Sequence, residues 1–570
     1  MASGNPDDSV ISNMDIDVKY GFIIDNRKCI GCHACTVACK SEHEVPVGVN
    51  RTYVKQVEKG TFPDSKRLFS VMRCNHCTNA PCVTICPTEA LFIREDGIVD
   101  FDNDRCIGCK SCMQACPYDA LYIDPETKTA AKCNYCAHRV DVGLEPACVI
   151  VCPEHAIVSG NMNDPQSEIA TMLSKHNIKV RKKEKGTSPN LFYINAEDES
   201  LVPSKSEPSD RYLWNSQSTG VGHFSKFAES LTKGKSLLEM TEQLDPKLFS
   251  ADEITSKKDR KTSVEVLMEK SKRVFDTPDK GILWGWEVSS YVWTKAISTG
   301  TFLVVFLSLF SNIFSQNESL NLLASNIIGS TTTLYIAIVA GLFFLTLTGV
   351  LLIMDLDQPK RFLFVLLRPH WKSWLVKGGY SITFFGLCLT ISGLLIYLDF
   401  GVKYQFAILS ISAAFAIITA MYTAFLFKQA KGRDLWQSPL SALHMLTHSI
   451  MAGSSLFILL SLFISFQAAF LAFIQLAFVI SISINLLIIL FEFKILKHTA
   501  DSKKALHLIA NGRYKTQFWF IAITIGNIIP LGLVFTDISL LSQLGSVFCL
   551  TGIFVTQHLW VEAPQRIPLS

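Results

Sequence analysis

The sequence predicts two unlike parts in one chain: a small α+β domain dense in cysteine, then an all-α bundle of eight membrane-spanning helices. Three observations carry this prediction. Of the 18 cysteines, 16 fall between positions 29 and 152. From about 288 to 561 the chain is a succession of long apolar runs. Between these parts lies a polar stretch with basic segments such as SKKDRK (256–261). A chain of 570 residues exceeds one ordinary domain, and its 49% hydrophobic content averages a polar half and an apolar one. The division is therefore 1–200, a connector over 201–280 that is helical in part around SVEVLMEKSKRVF, and 281–570. A net charge of +3, with no basic patch that demands DNA, gives no reason to expect a nucleic-acid partner. The acidic N-terminus has neither an apolar signal core nor a twin arginine, so the first part is expected to fold where it is made.

The 16 cysteines form four sets of four: Cys29, Cys32, Cys35 and Cys39; Cys74, Cys77, Cys82 and Cys86; Cys106, Cys109, Cys112 and Cys116; Cys133, Cys136, Cys148 and Cys152. The first and third sets have the C-x2-C-x2-C-x3-C spacing of bacterial ferredoxins, and proline follows the last cysteine of sets two, three and four. The spacing suits a cubane cluster. Three closely spaced thiolates on one loop reach three irons, and the fourth ligates the neighbouring cluster, stapling two loops together. A disulfide framework would require an oxidising compartment and usually a small secreted chain. Zinc would favour isolated C-x2-C pairs, each set holding its own metal. Four [4Fe-4S] clusters in a double ferredoxin-like iron-sulfur domain are the expectation. Cys388 and Cys549 lie in apolar runs and read as buried small hydrophobes.

The order of the sets, with RCNHCTNAPCVTICPTEAL, DGIVDFDNDRCIGCKSCMQACPYDALYI and KCNYCAHRV, resembles the electron-transfer subunit of membrane-bound molybdopterin oxidoreductases, the dimethyl-sulfoxide, polysulfide, tetrathionate and sulfite enzymes among them. TSPNLFYI (187–194) resembles that family's segment after the last cluster. The resemblance implies crosswise ligation. Cys29, Cys32 and Cys35 would share a cluster with Cys152, and Cys133, Cys136 and Cys148 one with Cys39. Cys74, Cys77 and Cys82 would join Cys116, and Cys106, Cys109 and Cys112 would join Cys86.

Eight apolar stretches span or nearly span a bilayer: about 289–313, 328–354, 379–398, 404–427, 443–465, 468–491, 517–536 and 539–561. Lys and Arg crowd the segment before the first and the loops after the second, fourth and sixth. The opposite loops carry almost none, only Lys403 following the third. The positive-inside rule then places both termini, and the cysteine-rich domain with them, on the cytoplasmic side of the inner membrane. WGWEVSSYVWTKAISTG (284–300), DLDQPKRFLFVLLRPHWKSWLVKGG (355–379) and the final IPLS resemble the quinone-interacting anchor of polysulfide reductase and nitrite reductase complexes, the NrfD-like family.

Ionisable groups inside such a bundle are functional candidates by default. Glu287, Tyr291 and Lys295 recur at helical spacing beside Trp286, and a quinone needs hydrogen-bond partners and a proton route. An interfacial belt of Trp, Tyr and snorkelling Lys is the bland alternative. Asp355, Asp357 and Arg361 match the anchor motif and join the quinone candidates, or form a salt-bridged loop, the role expected of Arg368. His444 and His448, four apart on one helix, complete the set. They cannot both ligate one haem, so no haem is expected. Glu492 is expected to end the sixth helix.

The reading is an electron-transfer and membrane-anchor subunit, relaying electrons between a molybdopterin-containing catalytic partner and the membrane quinone pool, with sulfite dehydrogenase the analogy that a cytoplasmic placement favours. A hydrogenase-linked or cytochrome-linked quinone module is an alternative, and an ion-translocating membrane protein with a cluster sensor domain is another.

Overall fold

The computed structural model describes residues 17–205 except 60–62 and 65, then 280–315, 331–536 and 539–570. Nearly all of the 201–280 connector, its expected helical segment included, lies outside the described residues.

The cysteine-rich part is built on a four-stranded sheet. Tyr20–Asp25 pairs antiparallel with Ile157–Asn161 and parallel with Leu191–Ile194, which in turn pairs with Ile178–Lys179. TSPNLFYI thus supplies a central strand, and the alternation of its apolar side chains buries Leu191 and Tyr193 completely. Three two-stranded hairpins complete the domain: Tyr53–Lys59 with Lys66–Met72, Leu91–Ile93 with Val99–Phe101, and Leu121–Ile123 with Ala130–Lys132. The first occupies the insert between cysteine sets one and two. The other two each follow a one-turn helix, Pro81–Ile85 and Ser111–Ala115, giving the repeated loop-helix-hairpin unit of a double ferredoxin.

The second part is all helix. Membrane helices one to six are Trp286–Ser315, Thr331–Met354, Trp374–Tyr397, Val402–Gln429, Ser441–Leu460 and Ala468–Lys494; the eighth is Ser539–Glu562. Among the described residues seven helices are long and apolar enough to cross a membrane. The seventh expected span is the exception. Gln517–Leu533 is shorter, and it is π-helical from Gln517 to Ile528 before Pro530 re-enters the α form. The sixth helix does not stop at Glu492. It runs to Lys494, and Glu492 is buried, accepting a hydrogen bond from Ser438 Oγ at 2.6 Å. Cys388 and Cys549 are buried in the apolar core.

The first helix is the most enclosed of the spans. It crosses the fifth at glycine: a Cβ on Gly300 would lie 1.7 Å from the Ser449 carbonyl oxygen, and one on Gly453 2.2 Å from Gly300. Small residues let the two backbones touch, as membrane helices require where no hydrophobic effect drives them together.

Candidate functional site

The cysteine loops wind through left-handed turns at equivalent places. Two and four residues after the first cysteine of set one stand Gly31 (φ 70°) and His33 (φ 61°); in set three they are Gly108 (φ 69°) and Lys110 (φ 58°). These turns fold the loop back so that successive thiols face one point. Three cavities are each ringed by four cysteines: Cys29, Cys32, Cys35 and Cys152; Cys74, Cys77, Cys82 and Cys116; Cys86, Cys106, Cys109 and Cys112. The remaining four also meet, Cys39 lying within electrostatic reach of Cys133, Cys136 and Cys148. The groups brought together are the crosswise sets, not the sequence sets.

The donors fit iron-sulfur clusters. Backbone N–H groups of Ala156 and Ala130 donate to Cys152 Sγ (3.2 Å) and Cys106 Sγ (3.4 Å), as cluster thiolates require. Burial pushes the Cys74 thiol up to about 11 and Cys35 up to about 12; only a bound metal would hold them as thiolates at neutral pH.

The four sites form a file. Cys35 is within electrostatic reach of Cys148, Cys74 of Cys133, and Cys82 of Cys112, linking each set to the next. Two buried cations sit between them. Arg73 donates from Nη1 to Cys148 Sγ at 3.0 Å, and Lys132 Nζ donates to the carbonyl of Cys133 at 2.9 Å. At the outer end Cys32 is exposed, beside exposed Ile30, Val37 and Val151.

The inner end is seated on the membrane half. His370 Nδ1 is 2.7 Å from the carbonyl oxygen of Cys86, and Arg361 Nη1 donates to the carbonyls of Asn103 (2.6 Å) and Cys106 (3.1 Å). Trp284 Nε1 donates to the Cys109 carbonyl at 3.1 Å, and Lys110 pairs with Asp357 at 3.2 Å. Gly108 is required twice over, by its φ and because a Cβ there would meet Asp357 at 2.7 Å. A second seam joins Gln114, Arg433 and Gln565: Arg433 Nε donates to Gln114 Oε1 at 2.9 Å, and Gln565 Oε1 accepts from the Leu283 and Trp284 amides at 3.0 Å.

The quinone candidates separate into three places. Asp357 and Arg361 serve the cysteine loop, and Asp355 lies at the same contact, its backbone carbonyl accepting from Lys110 Nζ at 3.1 Å. Burial, with Glu287 and Asp357 nearby, pushes the Asp355 carboxyl up to about 7 against the pull of Lys110. Arg368 lies over the Phe364 ring at 5.1 Å. Tyr291 and Lys295 are buried together, facing Thr423 and Tyr422 of the fourth helix; Lys295 Nζ donates to Thr423 Oγ1 at 2.5 Å and lies 4.5 Å from the Tyr422 ring. Glu287 is half-buried, and Trp286, 54% exposed, lies outside this group. His444 and His448 occupy the third place, against the sixth, seventh and eighth helices. His444 Nε2 is 2.9 Å from Asn485 Oδ1, and Asn485 donates to Asn527 at 2.8 Å.

Sequence reasoning missed Trp284, two residues before the Trp286 it chose. Trp284 is buried and stacks on Trp436 (5.4 Å between ring centroids) and Phe427 (5.8 Å). It also missed Gln557, 3.4 Å from His448 Nδ1, and Arg73.

Comparison with known proteins divides the chain in the same way. Residues 27–48 match the model of a 4Fe-4S binding domain, 66–162 that of a 4Fe-4S dicluster domain, and 276–565 that of polysulphide reductase, NrfD. The chain is 48% identical over 202 residues to a tetrathionate reductase subunit of Salmonella typhimurium, covering 34% of this chain and 80% of that protein. It is 45% identical over 179 residues to a polysulfide reductase component of Wolinella succinogenes, 31% of this chain and 94% of the relative. With the arsenate respiratory reductase iron-sulfur subunit ArrB of a Shewanella species the identity is 34% over 225 residues, 31% of this chain and 96% of the relative.

Proposed function

Since the chain belongs to the NrfD family of polysulphide reductase membrane proteins and carries iron-sulfur domains ahead of that region, we propose that it is the electron-transfer and membrane-anchor subunit of a molybdopterin oxidoreductase complex. The crosswise rings would hold four [4Fe-4S] clusters, which when bound supply one-electron carriers. Electrons would pass between a catalytic partner docked at the exposed Cys32 end and the quinone pool of the membrane. The observation that carries this reading is the seating of the Cys86, Cys106, Cys109 and Cys112 ring on the bundle, through Arg361, His370 and Trp284. A cluster tied to lipid-spanning helices at one end of a file, with an exposed thiol at the other, suits a relay and not an isolated sensor.

The relatives, components of tetrathionate, polysulfide and arsenate reductases, favour a separate catalytic subunit. The basic loops favour a cytoplasmic placement of the cluster domain. Haem has no part in this reading: the His444 and His448 rings lie side by side, 4.2 Å apart, with Asn485 and Gln557 as neighbours.

Purification of the complex in mild detergent with metal analysis tests the proposal. About sixteen irons per chain, as four cubanes require, with molybdenum or tungsten in a co-purifying larger subunit, are expected. Iron without either metal would move the partner to a hydrogenase or cytochrome; zinc in place of iron would end the relay reading.

A further inference from the structure

Resting on the cluster reading above, we infer that the site formed by Cys39, Cys133, Cys136 and Cys148 is the highest-potential station of the file, and that His43 sets that potential together with Arg73. The first electron to enter the chain rests there, at the second position from the outer end.

His43 is brought to this site by its helix. Ala34–Glu42 starts within the first cysteine loop, and His43 closes its last turn, the backbone N–H donating to the Cys39 carbonyl at 3.3 Å. Cys39 and His43 stand four apart, so their side chains are neighbours on one face. His43 Nε2 lies 3.1 Å from Cys136 Sγ. A metal-bound thiolate carries no hydrogen, so in the loaded chain Nε2 is the donor, and the tautomer is fixed. The ring is held from the far side by His138, edge-on at 5.3 Å between centroids, whose Nε2 pairs with Glu42 Oε1 at 2.8 Å.

Two of the four thiols of this site thus take a side-chain N–H, Cys136 from His43 and Cys148 from Arg73. Reduction adds one electron and no proton, so the reduced site is the more negative form and gains more from each donor and each nearby cation. The electron arrives from one neighbouring cluster and leaves to the other, with the quinone pool and the catalytic partner as terminal donor and acceptor in either order. The cations act in the same direction as the donors. Arg73 is within electrostatic reach of Cys35 on one side and of Cys133 and Cys148 on the other. Lys132 donates to the Cys133 carbonyl and is within reach of Cys74. The second site therefore faces both cations, and the sites on either side of it face one each. Among the described residues neither cation pairs with a carboxylate, and burial leaves their fields little screened. Towards the membrane the cations are matched by acids: Lys280, near Cys116, pairs with Asp119 at 2.8 Å, and Lys110 with Asp357 at 3.2 Å.

The test is a potentiometric titration of the full chain in detergent, followed by paramagnetic resonance. H43L is expected to lower one midpoint, that of the first cluster to be reduced, by the equivalent of a tenfold change in its reduction equilibrium, about 59 mV for one electron, with the other midpoints unmoved. H43Q, which keeps an N–H donor, is expected to restore most of the loss. A shift confined to a cluster reduced later, no shift at all, or an equal shift in both variants would overturn the inference. A second measurement needs no variant to fold. In the unsubstituted chain poised to hold one electron, isotopic labelling of histidine nitrogen and, separately, of arginine nitrogen is expected to change the spin-echo modulation of the reduced cluster. A first-reduced cluster blind to the histidine label would overturn the assignment and leave the relay reading standing. A chain that shows no iron-sulfur signal on reduction would overturn both.

Discussion

At the scale of single residues the least expected feature is Arg73. It is 1% exposed, with Nε and Nη2 unpartnered, and its guanidinium lies 4.5 Å over the Phe22 ring. Burying an unpaired cation costs several kcal/mol, so a compensating negative charge must be close. The thiolate-ligated clusters supply one, because Cys35, Cys133 and Cys148 are the groups around Arg73. A positive charge and an N–H···S bond both raise a cluster's reduction potential. R73M should therefore lower the midpoint of the clusters that flank it, and R73K should lower it less; potentiometric titration followed by paramagnetic resonance reads this directly, and unmoved midpoints would contradict it. Nothing in the sequence marked Arg73. Cysteine ligands are legible because they recur in four sets, with three of them inside seven residues in sets one and three, whereas a lone arginine gains its meaning from a fold that brings Cys148 to it across 75 positions.

Asp355 gives a second residue-level expectation. Its carboxyl sits at about 7 in the folded chain against a reference value of 3.8, so the folded state holds the extra proton between those values. Stability at this contact is therefore highest in acid and falls as pH rises from about 4 to about 7, then levels off. D355N should remove this part of the pH dependence of the melting midpoint between about pH 4 and about pH 7. A steeper dependence in the variant would contradict the burial argument.

Elements are where hydropathy reads best. Seven long helices follow from runs of 20 or more apolar residues, since the bilayer fixes a length and permits few charges. The seventh stretch shows the limit of that reasoning. Its composition is apolar, but composition carries no record of a π turn, and the close approach of Gly526 to Gly552, where an added Cβ on Gly526 would lie 2.4 Å from the Gly552 Cα, is a pairing between helices. The same holds for the crossing of the first and fifth helices. G300A should lower the melting midpoint in detergent by several degrees, because a methyl there collides with backbone. G349A, where an added Cβ meets nothing within 4 Å, should leave it unchanged. Equal behaviour of the two variants would remove the tight crossing from the account.

Over the whole molecule, the division into a cysteine-rich domain and a bundle was plain in the sequence, and so were the 16 cysteines. The seam between the two parts was not. Gln114, Arg433 and Gln565 come from three distant stretches, and each alone is an ordinary polar residue. The seam fixes the innermost cysteine ring against the helices, and with it the central claim that one chain carries electrons between the cluster file and a quinone in the membrane. The direct measurement is quinol-driven reduction of the purified chain, followed by paramagnetic resonance, in the wild type and in C109S, with dithionite as the reference reductant. The account predicts that quinol reduces the wild-type clusters, and that C109S keeps clusters reducible by dithionite but closed to quinol. Reduction by quinol at the same rate in C109S would show that electrons enter elsewhere and would contradict it.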